Sequence, residues 1–194
     1  MHGSTGKILA LALLLSMPFA SLPASAQTPA KAGKAAAKTL KVSTLDGRFA
    51  FNLPDGYVTE AMPAGAAQSG TAGARGTMYM NEKQRRVVIA TEMPTPEGVD
   101  VDGNDPTFLD GAAAGFTAQQ SASLADYTTQ DKQSHVIRTL GVRQIDSTAT
   151  RGGGKTLTTT FVAAAGGRLS VVEVISRADD PKGHAAMVKQ IVGQ

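Results

Sequence analysis

From about Thr128 to Arg177 the chain alternates polar and apolar residues with a period of two, interrupted by glycine clusters. A period of two is the signature of strands with one face buried, and glycine pairs between such runs mark tight turns. The pattern predicts strands at His135 to Leu140, Val142 to Ala149, Lys155 to Ala163 and Arg168 to Ser176, with Gly152-Gly153-Gly154 and Gly166-Gly167 as turns between the last three. Four consecutive strands with such short links form an antiparallel meander, so the C-terminal half is a sheet.

The same alternation opens the domain. Phe49, Phe51 and Leu53 share one face of a strand that Pro54-Asp55-Gly56 terminates. Residues Ala61 to Gly76 read as an irregular excursion, and Thr77 to Met80 and Arg86 to Glu92 as two strands joined by a polar turn. Asp105-Pro106 and Asp180-Pro181 each place a capping carboxylate before a proline, which marks a helix start. Phe108, Leu109, Ala112, Ala113 and Phe116 form the apolar stripe of the first helix, in which Gly111 and Gly115 either weaken the helix by about 1 kcal/mol each or allow close packing on a sheet. Met187, Val188, Ile191 and Val192 form the stripe of the second. The inventory predicts an α+β fold: an antiparallel sheet of about six strands in an αβα sandwich, without the alternation of strand and helix that a dinucleotide fold requires.

The N-terminus predicts export. Lys7, the apolar run Ile8 to Leu15 and Ala24-Ser25-Ala26 before Gln27 form a cleavable signal peptide over residues 1–26, with cleavage between Ala26 and Gln27. Residues 27–41 read as a flexible Ala/Lys tether and residues 42–194 as a single domain. The chain has no cysteine, which excludes thiolate chemistry, disulfides and a lipid-modified N-terminal cysteine. No stretch after the signal is long and apolar enough for a membrane helix.

Of the 19 Lys and Arg, five precede Val42, leaving 14 against 16 Asp and Glu in the domain. A mildly acidic domain lacks the concentrated basic face that nucleic acid requires. Lys31, Lys34, Lys38 and Lys41 of the tether offer weak contact with a membrane surface, at about 1 kcal/mol per charge near anionic headgroups.

Few residues suggest chemistry. Gly152-Gly153-Gly154-Lys155-Thr156 ends like a phosphate-binding loop, but Ala149 stands where the first glycine belongs and a strand follows, so it reads as a hairpin turn. Asp100, Asp102 and Asn104 alternate like calcium ligands, but Asp105 and Gly111 break the EF-hand pattern, leaving an acidic turn that caps a helix. His135 and His184 have no partner at metal-ligand spacing and read as packing or surface residues. Ser69-Gly70 does not belong to a nucleophile elbow. Arg138, Arg143, Arg151, Arg168 and Arg177 either share an anion-binding face or point to solvent; Thr156, Thr158 and Thr160 read as the solvent face of a strand. These observations predict a protein without catalytic, cofactor or metal residues.

The segment Thr44 to Tyr57, T-L-D-G-R-F-A-F-N-L-P-D-G-Y, resembles the opening of the DcrB family of bacterial envelope proteins. The close of the chain, V-I-S-R-A-D-D-P from Val174 to Pro181 running into His184 to Val192, is similar to how that family ends. The resemblance implies a PsbP-like αβα sandwich and non-enzymatic roles: envelope maintenance, phage entry and, in the related Eag chaperones, shielding of hydrophobic segments of secreted effectors. It departs where DcrB carries a lipobox cysteine and this chain has Ala24-Ser25-Ala26-Gln27. The expectation is a periplasmic, non-enzymatic interaction or chaperone-like module whose partner is an envelope or secreted protein. The alternative is a small-ligand or ion-binding module that uses the Asp100 to Asp105 turn or the arginine-bearing strands.

Overall fold

A computed structural model describes residues 39–66, 71–96 and 99–193. The cleavage site Ala26–Gln27, the lysines 31, 34 and 38 of the tether, and Ser69-Gly70 lie outside the described residues. In chain order the elements are β1 Leu40–Thr44, a 3-10 turn Leu45–Gly47, β2 Phe49–Leu53, β3 Val58–Ala61, β4 Arg75–Asn81, β5 Arg86–Pro94, α1 Pro106–Ser123, β6 Thr128–Ile137, β7 Leu140–Arg151, β8 Gly154–Ala165, β9 Arg168–Arg177 and α2 Pro181–Val192.

The main sheet has seven antiparallel strands in the order β3-β4-β5-β9-β8-β7-β6, and β1 and β2 form a separate hairpin. The expected antiparallel α+β architecture is therefore present, with one strand more than expected in the sheet and the Phe49 strand outside it. The hairpin arises because Val42 and Thr44 turn inward while Lys41 and Ser43 face out, pairing Val42 with Phe51 and Lys41 with Asn52. Lys41 is thus strand rather than tether, a correction, since it pairs with Asn52 of β2.

Alternation divides the sheet into two faces. On one face Val88, Ala90, Val142, Phe161, Ala163, Val172 and Val174 pack against the hairpin's Phe49 and Phe51 and against Met187 and Ile191 of α2. On the other, Ile145, Val162 and Val171 pack against Ala113 and Phe116 of α1, and Ala164 against Leu109. A helix therefore covers each face of the central strands. Both helices start as their sequences predict: Asp105 accepts the Phe108 N–H at 3.1 Å and Asp180 the Gly183 N–H at 2.9 Å.

The hairpin at Gly152-Gly153 also forms as expected, with φ of 54° and 77°. Both values lie in the left-handed region that glycine enters without steric cost. The expected strand His135 to Leu140 is corrected: β6 ends at Ile137, Arg138-Thr139 turns the chain, and Leu140 opens β7. Most of β6 precedes His135 and is polar because it lies at the sheet edge, so apolar alternation marks only its end.

Gly111 and Gly115 do not serve close packing. A Cβ built on either has no atom within 4 Å. Gly111→Ala and Gly115→Ala should each stabilise the protein by about 0.5–1 kcal/mol, because only unfolded-state freedom is removed. A urea titration that shows either variant destabilised would place these positions against the sheet.

Candidate functional site

Between α2 and the β6-β7-β8 end of the sheet runs a groove of about 520 Å³. Its α2 wall carries Ala185, Val188 and Val192, and its floor and rim carry His135, Gln144, Asp146 and Thr159. The floor residues stand there because β7 and β8 place Gln144, Asp146 and Thr159 on the α2 face, with Asp146 opposite Thr159 in the ladder. His184 is brought to them by the first turn of α2.

These polar groups form one directed chain. Asp146, as a carboxylate, only accepts, so the hydroxyl of Thr159 must donate to it. The single Thr159 proton is then spent, and His184 Nε2, 2.9 Å away, must donate to Thr159. On the other ring nitrogen, Ser176 Oγ lies 3.0 Å from His184 Nδ1 and accepts the Nε–H of Arg86 at 3.1 Å. Ser176 therefore donates to Nδ1 when the ring is neutral. Burial is the largest influence holding the His184 pKa below its ordinary 6.5, and Arg86 adds to it while Asp146 and Asp180 oppose it. From the far side, His135 Nε2 lies 2.9 Å from Gln144 Oε1, and Gln144 donates its amide to Asp146 at 2.8 Å.

The chain ends at a second groove of about 490 Å³ on the other flank of α2, lined among others by Lys83, Arg85, Arg86 and Asp180. There Arg86 donates to Gln84 Oε1 at 3.0 Å and to Asp180 Oδ2 at 2.6 Å. Gly183 leaves room for this pair, since a Cβ on it would meet Asp180 Oδ2 at 2.2 Å and Arg86 Nη2 at 2.4 Å. The Ser176–His184 contact has the look of a nucleophile and its base, but Ser176 is 1% exposed and its oxygen already faces Arg86. A substrate carbonyl cannot reach it in this arrangement, and the pair ties α2 to the sheet.

The other sequence candidates are dispersed. Arg143 pairs with Asp110 of α1, while Arg151 reaches Gln120 of α1 at 2.9 Å and Glu173 at 3.7 Å. Arg168 lies on the opposite face, 3.7 Å from Glu92. Arg143, Arg151 and Arg168 are engaged in these internal pairs, so the expected shared anion-binding face is corrected, while Arg138 is exposed in the β6–β7 turn, as the solvent alternative expects. Asp102 and Asp105 turn their carboxylates to the N–H groups of Asn104 and Phe108. Thr156, Thr158 and Thr160 are buried rather than solvated, because β8 is a central strand with α1 over that face. Sequence reading separates His135 and His184; the sheet places both on one groove. The feature it missed altogether is Asp146, whose signal is only a carboxylate at an inward position of a strand.

Beneath α1, Glu173 stands opposite Thr160 in the β8–β9 ladder. Glu173 Oε1, Thr158 Oγ1 and Thr160 Oγ1 are buried and make no hydrogen bond among the described residues. Burial raises the Glu173 pKa above its ordinary 4.5, against a smaller opposing pull from Arg151. An acid with a raised folded pKa binds more protons folded than unfolded, so its contribution to stability falls as pH rises above about 4.5. Glu173→Gln should therefore be more stable than the parent at pH 7, by about 1 kcal/mol, and equal to it near pH 4. Chemical denaturation at the two pH values tests this, and a destabilised variant at pH 7 would contradict it.

Asp126, after α1, shows the reverse. It accepts the Thr150 hydroxyl at 2.7 Å, the Thr150 N–H at 2.8 Å and the Lys155 ammonium at 3.1 Å, which pull its pKa down from 3.8 to about 2. Lys155 of the glycine turn thus has a carboxylate partner. A depressed carboxyl pKa stabilises above its unfolded value and loses that contribution as pH falls, here from about 4 to about 2. Asp126→Asn should flatten the melting-temperature profile in that window, and an unchanged acid limb would refute the clamp.

No family model matches the chain, and no curated protein matches it. Solved structures do. The cyanobacterial PsbP protein CyanoP of Synechocystis sp. PCC 6803 aligns over 85% of this chain and 95% of its own, with 11% identity and a TM-score of 0.58. LpqN of Mycobacterium tuberculosis, involved in cell envelope biogenesis, aligns over 81% and 83% with 11% identity and a TM-score of 0.44. A Pseudomonas aeruginosa protein of unknown function aligns over 78% and 92% with 12% identity and a TM-score of 0.43. The match to CyanoP shows a PsbP-like fold.

Proposed function

We propose that this protein is an exported, non-enzymatic envelope module that binds another protein through the groove between α2 and β6-β7-β8. The observation that carries the reading is the groove itself: an apolar helix wall facing a polar floor whose hydrogen bonds are fixed from both sides. Such a surface offers area and orientation to a ligand, while its one serine–histidine contact is buried beneath it.

Three further points support the reading. The signal peptide ending at Ala26–Gln27 supports a periplasmic location. The likeness of Thr44 to Tyr57 to the DcrB opening falls on the β1–β2 hairpin and the turn after it, which pack over the same face as α2. Among the described residues no helix is long and apolar enough to cross a membrane, and the lysines at 31, 34, 38 and 41 offer weak contact with a membrane surface.

Site-specific photocrosslinking in intact cells tests the proposal. A crosslinker at Val188, on the groove wall, should give a discrete protein adduct that one at exposed Ala118 of α1 does not give. Identical patterns from the two positions would reject the groove as the binding face. Sequencing the N-terminus of the mature protein tests export, and a first residue other than Gln27 would overturn the assigned cleavage.

A further inference from the structure

β6 ends the main sheet, and among the described residues only β7 pairs with it. Two hydrogen bonds identify which of its main-chain groups face the open side. Gly141, opposite Val136 in the ladder, donates its N–H to the Gly103 carbonyl at 2.8 Å, away from β6. Val136 and Gly141 therefore form a non-hydrogen-bonded pair, and the N–H and C=O of Val136 point out of the sheet edge. Lys132, of the same parity, donates its N–H to the side chain of Asp131 at 2.8 Å and not to β7. Ser134 lies between the two, so its N–H and C=O face outward as well.

The two halves of this edge differ. In the first half a bulge between Thr129 and Asp131 and the Asp131 bond at Lys132 blunt pairing. The second half, Gln133 to Ile137, has neither device, and its Val136 side chain is 70% exposed on the α1 face. On the groove face, Asp131 and Asp146 stand directly opposite each other. Like charges so placed destabilise a ladder. Neither has a cation within ion-pair distance among the described residues. Lys189 also lines the groove, from the α2 wall, but pairs with neither.

We infer that the open edge of β6 from Gln133 to Ile137 is a strand-addition site for an extended segment of a partner protein in which basic and apolar residues alternate. Its main chain pairs with the N–H and C=O of Ser134 and Val136. Its basic side chains fall on the groove face over Gln133 and His135, toward Asp131 at the end of the site and Asp146 one strand further in, and its apolar side chains fall on the reverse face against Val136. The inference rests on the interaction reading of the groove and adds the chemistry of the partner.

The test uses the full chain and two end-blocked hexapeptides, one alternating lysine and valine and one alternating glutamate and valine. Amide hydrogen exchange read by NMR should be fast at Ser134 and Val136 in the free protein. Saturating Lys/Val peptide should slow both by about tenfold or more, and the Glu/Val peptide should not. Ser134→Pro removes an outward donor while sparing the bonds to β7, so it should keep the melting curve and lose the peptide effect. Asp131→Lys supplies a second variant, which should reverse the preference toward the Glu/Val peptide.

Protection of Ser134 and Val136 without peptide would overturn the inference, because a second copy or the chain's own N-terminal residues would then cover the edge; sedimentation separates those two. Equal response to both peptides, or an unchanged response in a folded Ser134→Pro variant, would overturn it too. If the peptide fails while crosslinking from Val188 still gives its adduct, strand addition falls and the groove function stands. If the peptide binds and Val188 captures nothing beyond the control, the reverse holds.

Discussion

Phe161→Ala should destabilise the protein by about 3–5 kcal/mol, the range found when a fully buried aromatic is truncated and the cavity collapses only in part. Phe161 is 0% exposed and sits mid-strand in β8, where the sheet meets the hairpin. Its ring meets Phe49 at a centroid distance of 6.2 Å and an interplanar angle of 69°, an edge-to-face contact. Truncation removes the surface on which β2 rests, so the hairpin should loosen before the sheet does. Urea denaturation should show a lower midpoint at constant slope, and hydrogen exchange should quicken first at the β1–β2 amides. A loss under about 1 kcal/mol would mean that the hairpin is not held through this ring.

Arg86→Met should cost about 3 kcal/mol, because a buried guanidinium with three side-chain acceptors leaves all three behind. Gln84 and Ser176 lose their donor, and Asp180 keeps only the Gly183 N–H. The pair lies at the start of α2, so the loss should appear as detachment of that helix from β9. A second readout distinguishes this from simple loss of packing. Burial is the largest cause of the low His184 pKa and the positive charge of Arg86 adds to it, so the variant should show that pKa raised. A group neutral in the fold and protonated when unfolded removes stability as pH falls below about 6.5, and that slope should be shallower in the variant. An unchanged His184 titration by NMR would show that the chain from Arg86 through Ser176 does not reach the ring.

Much of the fold is legible in the residue order because local rules and tertiary demands agree. The Asp-Pro pairs at 105–106 and 180–181 cap helices by bonds within three residues, and Gly152-Gly153 supplies the two positive φ angles its hairpin needs. The misreadings fall where burial is set by distant chain. Thr158 and Thr160 look like a solvent face until α1 is laid over them, and the strand predicted from His135 misses most of β6 because that part, at the sheet edge, is polar. Lys41 resembles tether for the same reason: its side chain faces solvent while its main chain pairs with β2.

The candidate site was less legible. Gln144, Asp146, Thr159, Ser176 and His184 come from three strands and a helix, with no spacing that a motif would register. Sequence by itself determined the two capped helices and the antiparallel meander, since each depends on residues a few positions apart. Only the tertiary structure decided that the helices lie on opposite faces, that two histidines 49 residues apart line one groove, and that among the described residues β6 is the end strand of the sheet. Those properties follow from which strand lies beside which, and strand order is fixed by the summed burial of both sheet faces rather than by any local run of residues.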